Sequence, residues 1–141
     1  MLFREVQQDL LTVPQGYMLA HCISADFALG AGVAKKINEQ FNMRAQLRAK
    51  YDNAFVSAPC CLVCMNVFNL VTKDQYWGKP TLSSITSAIK SMRDIALSMG
   101  IKKIAMPKIG CGLDRLNWQD VSQIIVDVFN DTDIEIMVCC L

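Results

Sequence analysis

The chain lacks a surplus of either charge, a long apolar run and more than one histidine. Its 14 lysines and arginines are scattered among 13 aspartates and glutamates, so no basic stripe is present to hold a phosphate backbone by counterion release. We therefore expect no general affinity for nucleic acid. The charge balance still allows a nucleotide-sized ligand, or a nucleic acid recognised mainly through a modification.

The sequence also lacks features of export and membrane insertion. No run of about 18 consecutive apolar residues could span a bilayer. Arg4 and Glu5 stand where a secretory signal would be apolar. We expect a soluble intracellular protein without membrane contact, in the cytoplasm or, in a eukaryote, the nucleus. Seven cysteines, an odd number, then indicate reduced and mostly buried thiols rather than a disulfide framework.

Cys61 and Cys64 form a C-x-x-C pair, which can be a redox couple or half of a zinc site. Residues three apart in an extended segment point to opposite faces, and the residues after Cys64 are strand-like rather than a helix start. The sequence has no second such pair and no pair of histidines to complete a zinc shell. We therefore expect no metal and no cofactor.

Strands and helices alternate along the chain. A short apolar run at 17–23 leads into a small-residue loop at 25–32, after which apolar residues recur at helical spacing up to Phe41. The stretch 55–72 is rich in Val, Cys, Phe and Leu without a helical period, which favours two strands or a hairpin.

The second half repeats this order. Apolar residues over 82–99 mark one face of a long helix that Gly100 is placed to end. A buried-type strand at 103–106 leads into a second glycine loop, and Asn117 is placed to cap the next helix. A last strand closes the chain over 133–141. The alternation predicts a single domain, 1–141, with one core and a largely parallel sheet covered by helices on both faces.

Two glycine loops, Gly30-Ala31-Gly32 and Gly110-Cys111-Gly112, each follow a strand and lead toward a helix start. Glycine lets the backbone approach a ligand closely, and the unpaired N–H groups of a helix start suit phosphate. Either loop by itself is more often an ordinary tight turn. Because ligands bind beyond the carboxyl ends of parallel strands, the two loops can converge on one site that suits a diphosphate.

Three motifs carry a resemblance. They are Ala20-His21-Cys22-Ile23-Ser24 before the first glycine loop, Thr72-Lys73 with Lys79-Pro80-Thr81, and Pro107-Lys108-Ile109-Gly110-Cys111-Gly112-Leu113-Asp114-Arg115-Leu116 with Trp118 after it. In order and spacing they resemble macrodomains, and within them the terminal ADP-ribose glycohydrolase class, over about residues 6–141. The last motif is the most specific. The resemblance implies a three-layer α/β/α fold with a mixed, mostly parallel central sheet.

The resemblance also implies a hydrolase with an ADP-ribose cleft. Asp9 would receive the adenine amino group, the glycine loops would hold the diphosphate, and Ser24 and Asp114 would lie near the distal ribose. Lys73 would be the catalytic nucleophile and Asp114 the acid/base that release mono-ADP-ribose from a glutamate or aspartate ester on protein, or from a base in DNA. The attacking amine must be neutral, which desolvation or a nearby cation such as Arg115 would favour. The implied ADP-ribose-binding residues are Asp9, Leu10, His21, Cys22, Ser24, Gly30, Ala31, Gly32, Val33, Thr72, Pro107, Ile109, Gly110, Cys111, Gly112, Leu113 and Leu141.

Alternatives stay open for these residues and for the function. Taken singly, Lys73 is typical of a solvated lysine at a strand end, and Asp114 and Asp9 of turn residues that bond their own backbone. His21 lies among apolar neighbours and is expected to be structural rather than a base.

A non-catalytic ADP-ribose reader and an O-acyl-ADP-ribose deacylase are the alternative functions. The expected partners are ADP-ribose and ADP-ribosylated protein or DNA, and a monomer is expected. Gln8 stands where macrodomains commonly have Gly, so the first turn is expected to differ.

Overall fold

One sheet organises the computed structural model, which describes residues 1–52 and 54–141. Its strands are β1 (Leu2–Gln7), β2 (Met18–Ser24), β3 (Cys60–Cys64), β4 (Val67–Lys73), β5 (Lys103–Met106) and β6 (Glu135–Cys140). Their order across the sheet is β1-β6-β5-β2-β4-β3. Neighbouring strands run parallel except for β3, which pairs antiparallel with β4. The predicted mixed, mostly parallel sheet is confirmed.

Helices cover both faces of this sheet. They are α1 (Gly32–Phe41), α2 (Met43–Tyr51), α3 (Leu82–Met99) and α4 (Trp118–Phe129). Apolar residues of α3 and α4 form one buried cluster with the sheet, and those of α1 and α2 form another. The three-layer fold is confirmed, whereas the expectation of a single core was wrong. A sheet that is buried on both faces divides the apolar interior in two.

The ends of α3 and α4 follow the local signals in the sequence. Thr81 and Ser84 form a capping box at the start of α3, and Gly100 ends the helix in the left-handed conformation with φ 70°. The Asn117 side chain accepts hydrogen bonds from the N–H groups of Gln119 and Asp120 at the start of α4. Both predicted helices are confirmed at their caps. None of the helices in the described residues is long and apolar enough to cross a membrane.

The helix α2 was not predicted. It follows α1 after one residue, Asn42, whose left-handed conformation (φ 53°) turns the chain. Met43 and Leu47 are fully buried at helical spacing, and Tyr51 packs against the same cluster. That spacing was the signal available in the sequence, although six of the nine residues of α2 are polar or alanine, which weakens it.

The hairpin of β3 and β4 confirms the prediction for 55–72. It also determines where the two thiols of the C-x-x-C pair lie. Cys61 belongs to the cluster beneath α3 and α4, and Cys64 to the cluster beneath α1 and α2. The two thiols therefore lie on opposite faces of the sheet, as expected. Burial raises the pKa of Cys61 to about 12.

All seven cysteines are free thiols. Cys61, Cys64 and Cys139 are buried and the other four are half-buried, which corrects the expectation of mostly buried thiols. Three of the four half-buried cysteines, Cys22, Cys111 and Cys140, border a cleft.

Candidate functional site

A cleft of about 1070 Å³ opens at the carboxyl ends of the parallel strands. Its walls come from the loops that follow β2, β4 and β5, from the turn after β1 and from the last residues of the chain. This is the edge of an open α/β sheet at which ligands bind. A cleft of this size can hold a nucleotide-sized ligand.

The first glycine loop ends at the N-terminus of α1, which borders the cleft. The N-cap residue is Ala31, which has extended backbone but no polar side chain to accept from the first N–H groups of the helix. The corresponding residues of α3 and α4, Thr81 and Asn117, do accept such bonds. The start of α1 therefore keeps N–H donors and a partial positive charge for an anion in the cleft.

Gly110 is required by the shape of the second glycine loop. It has φ 74°, and a Cβ at this position would lie 2.7 Å from Ile85 Cδ1 and 3.1 Å from Leu116 Cδ1. The loop is closed by the Leu116 N–H, which donates to the Gly110 carbonyl at 2.8 Å. A side chain at Gly110 would therefore force either the side chains of Ile85 and Leu116 or the loop itself to shift.

The two glycine loops meet. A Cβ at Gly32 would lie 3.5 Å from Leu113 Cδ1, although the loops are separated by most of the chain. Lys79 Nζ donates to the Leu113 carbonyl at 3.2 Å and ties the second loop to the segment after β4. The expectation that the two loops can converge on one site is confirmed.

Lys73 and Asp114 form an ion pair inside this cleft. Lys73 is the last residue of β4, and its Nζ lies 2.7 Å from Asp114 Oδ1 in the loop after β5. The two side chains are 17% and 15% exposed, so the pair is shielded from solvent without being sealed off. Lys73 is therefore not a solvated lysine. Asp114 does lie in a turn, which the Arg115 N–H closes by donating to the Gly112 carbonyl at 3.1 Å, but its carboxylate contacts Lys73. Asp114, and not Arg115, is the charged partner of Lys73 within the described residues.

The Cys22 thiol lies close to this pair. Burial and the neighbouring Asp114 carboxylate raise the pKa of Cys22 to about 12. The side chain therefore stays a neutral thiol at physiological pH, and it is an apolar part of the wall rather than a second nucleophile.

Asp26 organises the loop between β2 and α1, and the sequence analysis did not single it out. Its carboxylate accepts hydrogen bonds from Ser24 Oγ at 2.5 Å, from the Ala28 N–H at 3.1 Å and from the Tyr76 N–H at 2.9 Å. Burial favours a raised pKa for Asp26, but these hydrogen bonds outweigh burial and hold the pKa below its usual value. The carboxylate thus joins the loop after β2 to the loop after β4.

Arg44 of α2 secures the same loop from the other side. Its guanidinium donates to the Phe27 carbonyl at 3.1 Å and to the Ala28 carbonyl. Arg44 borders the cleft as well. The missed helix α2 explains why this residue was not predicted.

The turn after β1 contains Asp9 and Gln8. Asp9 Oδ1 accepts from the Leu11 N–H at 2.9 Å and caps the short 3₁₀ helix Leu10–Thr12, as a turn aspartate would. The Gln8 N–H donates to the Cys140 carbonyl at 2.9 Å, and its side-chain amide donates to the Thr12 carbonyl at 3.2 Å. Gln8 therefore closes this turn with a side-chain bond that a glycine could not make.

His21 is a buried structural residue. Its Nε2 lies 2.6 Å from Asn69 Oδ1, and the Asn69 amide donates to the Leu62 carbonyl, so Nε2 carries the proton. Burial lowers the pKa of His21 to about 4, against a weaker opposing effect of the bond to Asn69. The imidazole is neutral near pH 7.

The structure brings nearly all of the predicted site residues together. Lys73 and Asp114 border the cleft with the predicted ADP-ribose-binding residues Asp9, Leu10, His21, Cys22, Ser24, Gly30, Ala31, Gly32, Val33, Pro107, Ile109, Gly110, Cys111, Gly112, Leu113 and Leu141. Thr72, which is 2% exposed, does not border it. Residues that border the cleft without having been predicted include Lys36, Arg44, Tyr76 and Lys108.

The sequence and the fold define a macrodomain. The Macro domain family model matches residues 18–125, and the chain belongs to this family. Over 136 residues the chain is 37% identical to the ADP-ribose glycohydrolase OARD1 of Bos taurus and 36% identical to that of Homo sapiens. Each match covers 96% of this chain and 90% of the relative. The resemblance based on the three motifs is confirmed.

Solved macrodomains share the fold. The macrodomain of Thermus aquaticus DarG superposes with a TM-score of 0.88 at 21% identity and covers 99% of both chains. That of Mycobacterium tuberculosis DarG gives a TM-score of 0.89 at 19% identity, covering 99% of this chain and 98% of that chain. Thermosipho africanus DarTG in complex with ADP-ribose gives 0.83 at 16% identity and covers 98% of this chain and 41% of its own.

Proposed function

We propose that this macrodomain binds ADP-ribose and hydrolyses mono-ADP-ribose from a modified acceptor, either a glutamate or aspartate ester on protein or a base in DNA. The observation that carries the proposal is the 2.7 Å contact between Lys73 and Asp114 in a cleft bordered by both glycine loops. Two relatives that are 36% and 37% identical to nearly the whole chain are named ADP-ribose glycohydrolases, which supports this class of reaction.

The cleft suits each part of ADP-ribose. The diphosphate binds the uncapped start of α1 and the backbone of the second glycine loop. Asp9 lies at the far end and accepts from the adenine amino group through Oδ2, because Oδ1 already accepts from Leu11. The distal ribose then lies near Ser24 and Asp114, beside Lys73.

The reaction needs one water molecule and the two catalytic side chains. Asp114 takes a proton from the Lys73 ammonium, and the neutral amine attacks C1″ of the distal ribose. The bond from C1″ to the acceptor breaks with its electron pair going to the acceptor, which takes the proton from Asp114 and leaves as a carboxylic acid or a free base, so that Asp114 is a carboxylate again. Asp114 then takes a proton from water as the oxygen adds to C1″. The bond to Lys73 breaks, and free ADP-ribose and the amine are released.

The test is release of free ADP-ribose from a glutamate-ADP-ribosylated protein at enzyme excess. Wild type, Lys73→Ala and Asp114→Ala are compared with Lys90→Ala, an exposed lysine of α3 away from the cleft. Calorimetry measures ADP-ribose affinity in parallel. We expect wild type and Lys90→Ala to release ADP-ribose, and the two catalytic variants to bind it without turnover. Release by Lys73→Ala at the wild-type rate would contradict the proposal.

One observation favours a non-catalytic reader as the second candidate. The uncapped start of α1 and the backbone of the two glycine loops would bind ADP-ribose without taking part in a reaction. A reader would bind ADP-ribose and release nothing from ADP-ribosylated protein, ADP-ribosylated DNA or O-acyl-ADP-ribose. The third substrate also tests the deacylase alternative in the same cleft. We further propose that residues 1–141 act as one monomeric domain, which sedimentation analysis would check.

A further inference from the structure

Two aromatic side chains project from a tight turn directly after β4, the strand that ends at Lys73. The turn spans Gln75 to Gly78 and is closed by the Gly78 N–H, which donates to the Gln75 carbonyl at 2.9 Å. Its central residues, Tyr76 and Trp77, are 64% and 70% exposed. Their ring centroids are 4.9 Å apart with an angle of 89° between the planes. Burial in the core does not explain an exposed pair of large aromatic side chains, and such a pair is typical of a surface that contacts a ligand.

The Tyr76–Trp77 pair is fixed next to the reacting centre. The Tyr76 N–H donates to Asp26 Oδ2 at 2.9 Å, and Asp26 also holds Ser24. Tyr76 borders the cleft, and Lys73 lies three residues before it at the end of β4. Trp77 does not border the cleft itself but packs on Tyr76, which does, so an acceptor that extends out of the cleft can reach both rings.

The charge around the cleft indicates what kind of acceptor suits the pair. Two carboxylates, Asp9 and Asp114, border the cleft, against five cations: Lys36, Arg44, Lys73, Lys79 and Lys108. This excess is local, because the whole chain has a formal net charge of only +1. An exposed aromatic pair next to a cleft with an excess of cations matches the stacked bases and phosphates of a single nucleic-acid strand. They offer no particular complement to a glutamate or aspartate side chain.

We propose that the Tyr76–Trp77 pair is the acceptor-recognition element of this enzyme and stacks against a nucleobase of an ADP-ribosylated single strand. The inference rests on the proposed function, since it concerns the acceptor of the same reaction. It agrees with the lack of a basic stripe, because the ADP-ribose group supplies most of the affinity and the aromatic pair adds selectivity for the acceptor.

The experiment compares kcat/KM on two substrates, an ADP-ribosylated single-stranded DNA oligonucleotide and an ADP-ribosylated glutamate peptide. The variants are Tyr76→Ala, Trp77→Ala and Trp77→Phe, which keeps an aromatic ring. Met65→Ala is the matched control, because Met65 is 58% exposed and lies at the opposite end of β4, about 20 Å from Lys73 by the rise of a strand.

We expect each alanine variant to lower the ratio of oligonucleotide to peptide kcat/KM by about 5- to 100-fold, the range for losing one base–aromatic stack. Trp77→Phe keeps most of this ratio, and Met65→Ala keeps all of it. An unchanged ratio in Tyr76→Ala and Trp77→Ala would overturn the proposal. A larger loss on the peptide would overturn it too, because the pair would then recognise a protein acceptor.

If wild type releases ADP-ribose from neither substrate, the hydrolase proposal fails and binding decides the role of the pair. The affinity for the ADP-ribosylated oligonucleotide is then compared with that for free ADP-ribose. Tighter binding of the oligonucleotide that Trp77→Ala abolishes supports the stacking role. Equal affinity of wild type for the two ligands rejects it.

Discussion

Lys73 Nζ and Asp114 Oδ1 lie 2.7 Å apart, although the residues are 41 positions apart in the chain. The pair joins the end of β4 to the loop after β5. Both side chains are largely shielded, so removal of one partner leaves the other charge poorly compensated. Substitutions at this pair therefore need controls that separate chemistry from structure.

The first prediction concerns this pair as a catalytic unit. Lys73→Ala and Asp114→Ala should each lower single-turnover release of ADP-ribose by about 10²- to 10⁴-fold. The double variant should be no slower than the slower single variant, because the two groups act in the same steps. Fully additive losses would show that the two residues act independently.

Lys73→Arg is the control for the comparison of the single and double variants. Arginine can keep an ion pair with Asp114 but stays protonated and cannot attack the ribose. We expect near-normal thermal stability and ADP-ribose affinity with turnover as low as in Lys73→Ala. Turnover by Lys73→Arg would assign Lys73 a positioning role instead.

The second prediction uses the missing cap of α1. Ala31→Asp places a carboxylate against the first N–H groups of the helix, which should stabilise the fold by about 0.5–2 kcal/mol. The same carboxylate occupies the donors proposed for the diphosphate, so ADP-ribose affinity should fall by more than about tenfold. Urea denaturation and calorimetry measure the two effects.

The N-cap of α4, which does not border the cleft, provides the control for Ala31→Asp. Asn117→Ala removes the α4 cap and should destabilise the fold by about 1 kcal/mol while ADP-ribose affinity stays the same. If Ala31→Asp bound ADP-ribose as tightly as wild type, the start of α1 would not be the diphosphate site.

The third prediction concerns Gly110. Gly110→Ala should destabilise the fold by about 1–3 kcal/mol, because the new Cβ would lie 2.7 Å from Ile85 Cδ1 and the backbone has φ 74°. Gly112→Ala is the matched variant in the same loop, since nothing lies within 4 Å of a Cβ there. Its free energy of unfolding should change by less than about 1 kcal/mol. Equal losses in urea denaturation would refute the steric explanation.

The fourth prediction is a pH dependence of stability due to His21. Its pKa is about 4 in the fold and 6.5 in the unfolded chain, so the unfolded chain binds more protons between these values. This contribution is complete above about pH 6.5 and is lost as the pH falls toward 4, by about 3 kcal/mol. Urea denaturation from pH 7 to pH 4.5 measures it.

His21→Gln keeps a donor for Asn69 but cannot titrate in this range. We expect its stability to fall less steeply than that of wild type over the same pH series. Carboxylates that titrate in both proteins cancel in this comparison. Parallel pH profiles would show that His21 does not contribute.

Local sequence signals predicted the features of the fold that depend on contacts between residues close together in the chain. Asn117 caps α4 with bonds to residues two and three positions away, and Gly100 ends α3 through its own φ. The helix α2 was missed because its polar composition hides the spacing of Met43 and Leu47. Asp26 was missed because its contact with Tyr76 spans 50 positions, and Arg44 was missed because it lies on α2.

The sequence by itself determined the family, most of the order of strands and helices, and most of the residues that border the cleft. Spacing, glycine positions and cap residues act over a few neighbours and can be interpreted without coordinates. Only the tertiary structure decided that Lys73 meets Asp114, that Asp26 holds the Tyr76 turn, and that Thr72 lies outside the cleft. These relationships follow from the strand order, because β5, β2 and β4 are neighbours in the sheet and their carboxyl ends bring distant loops to one edge.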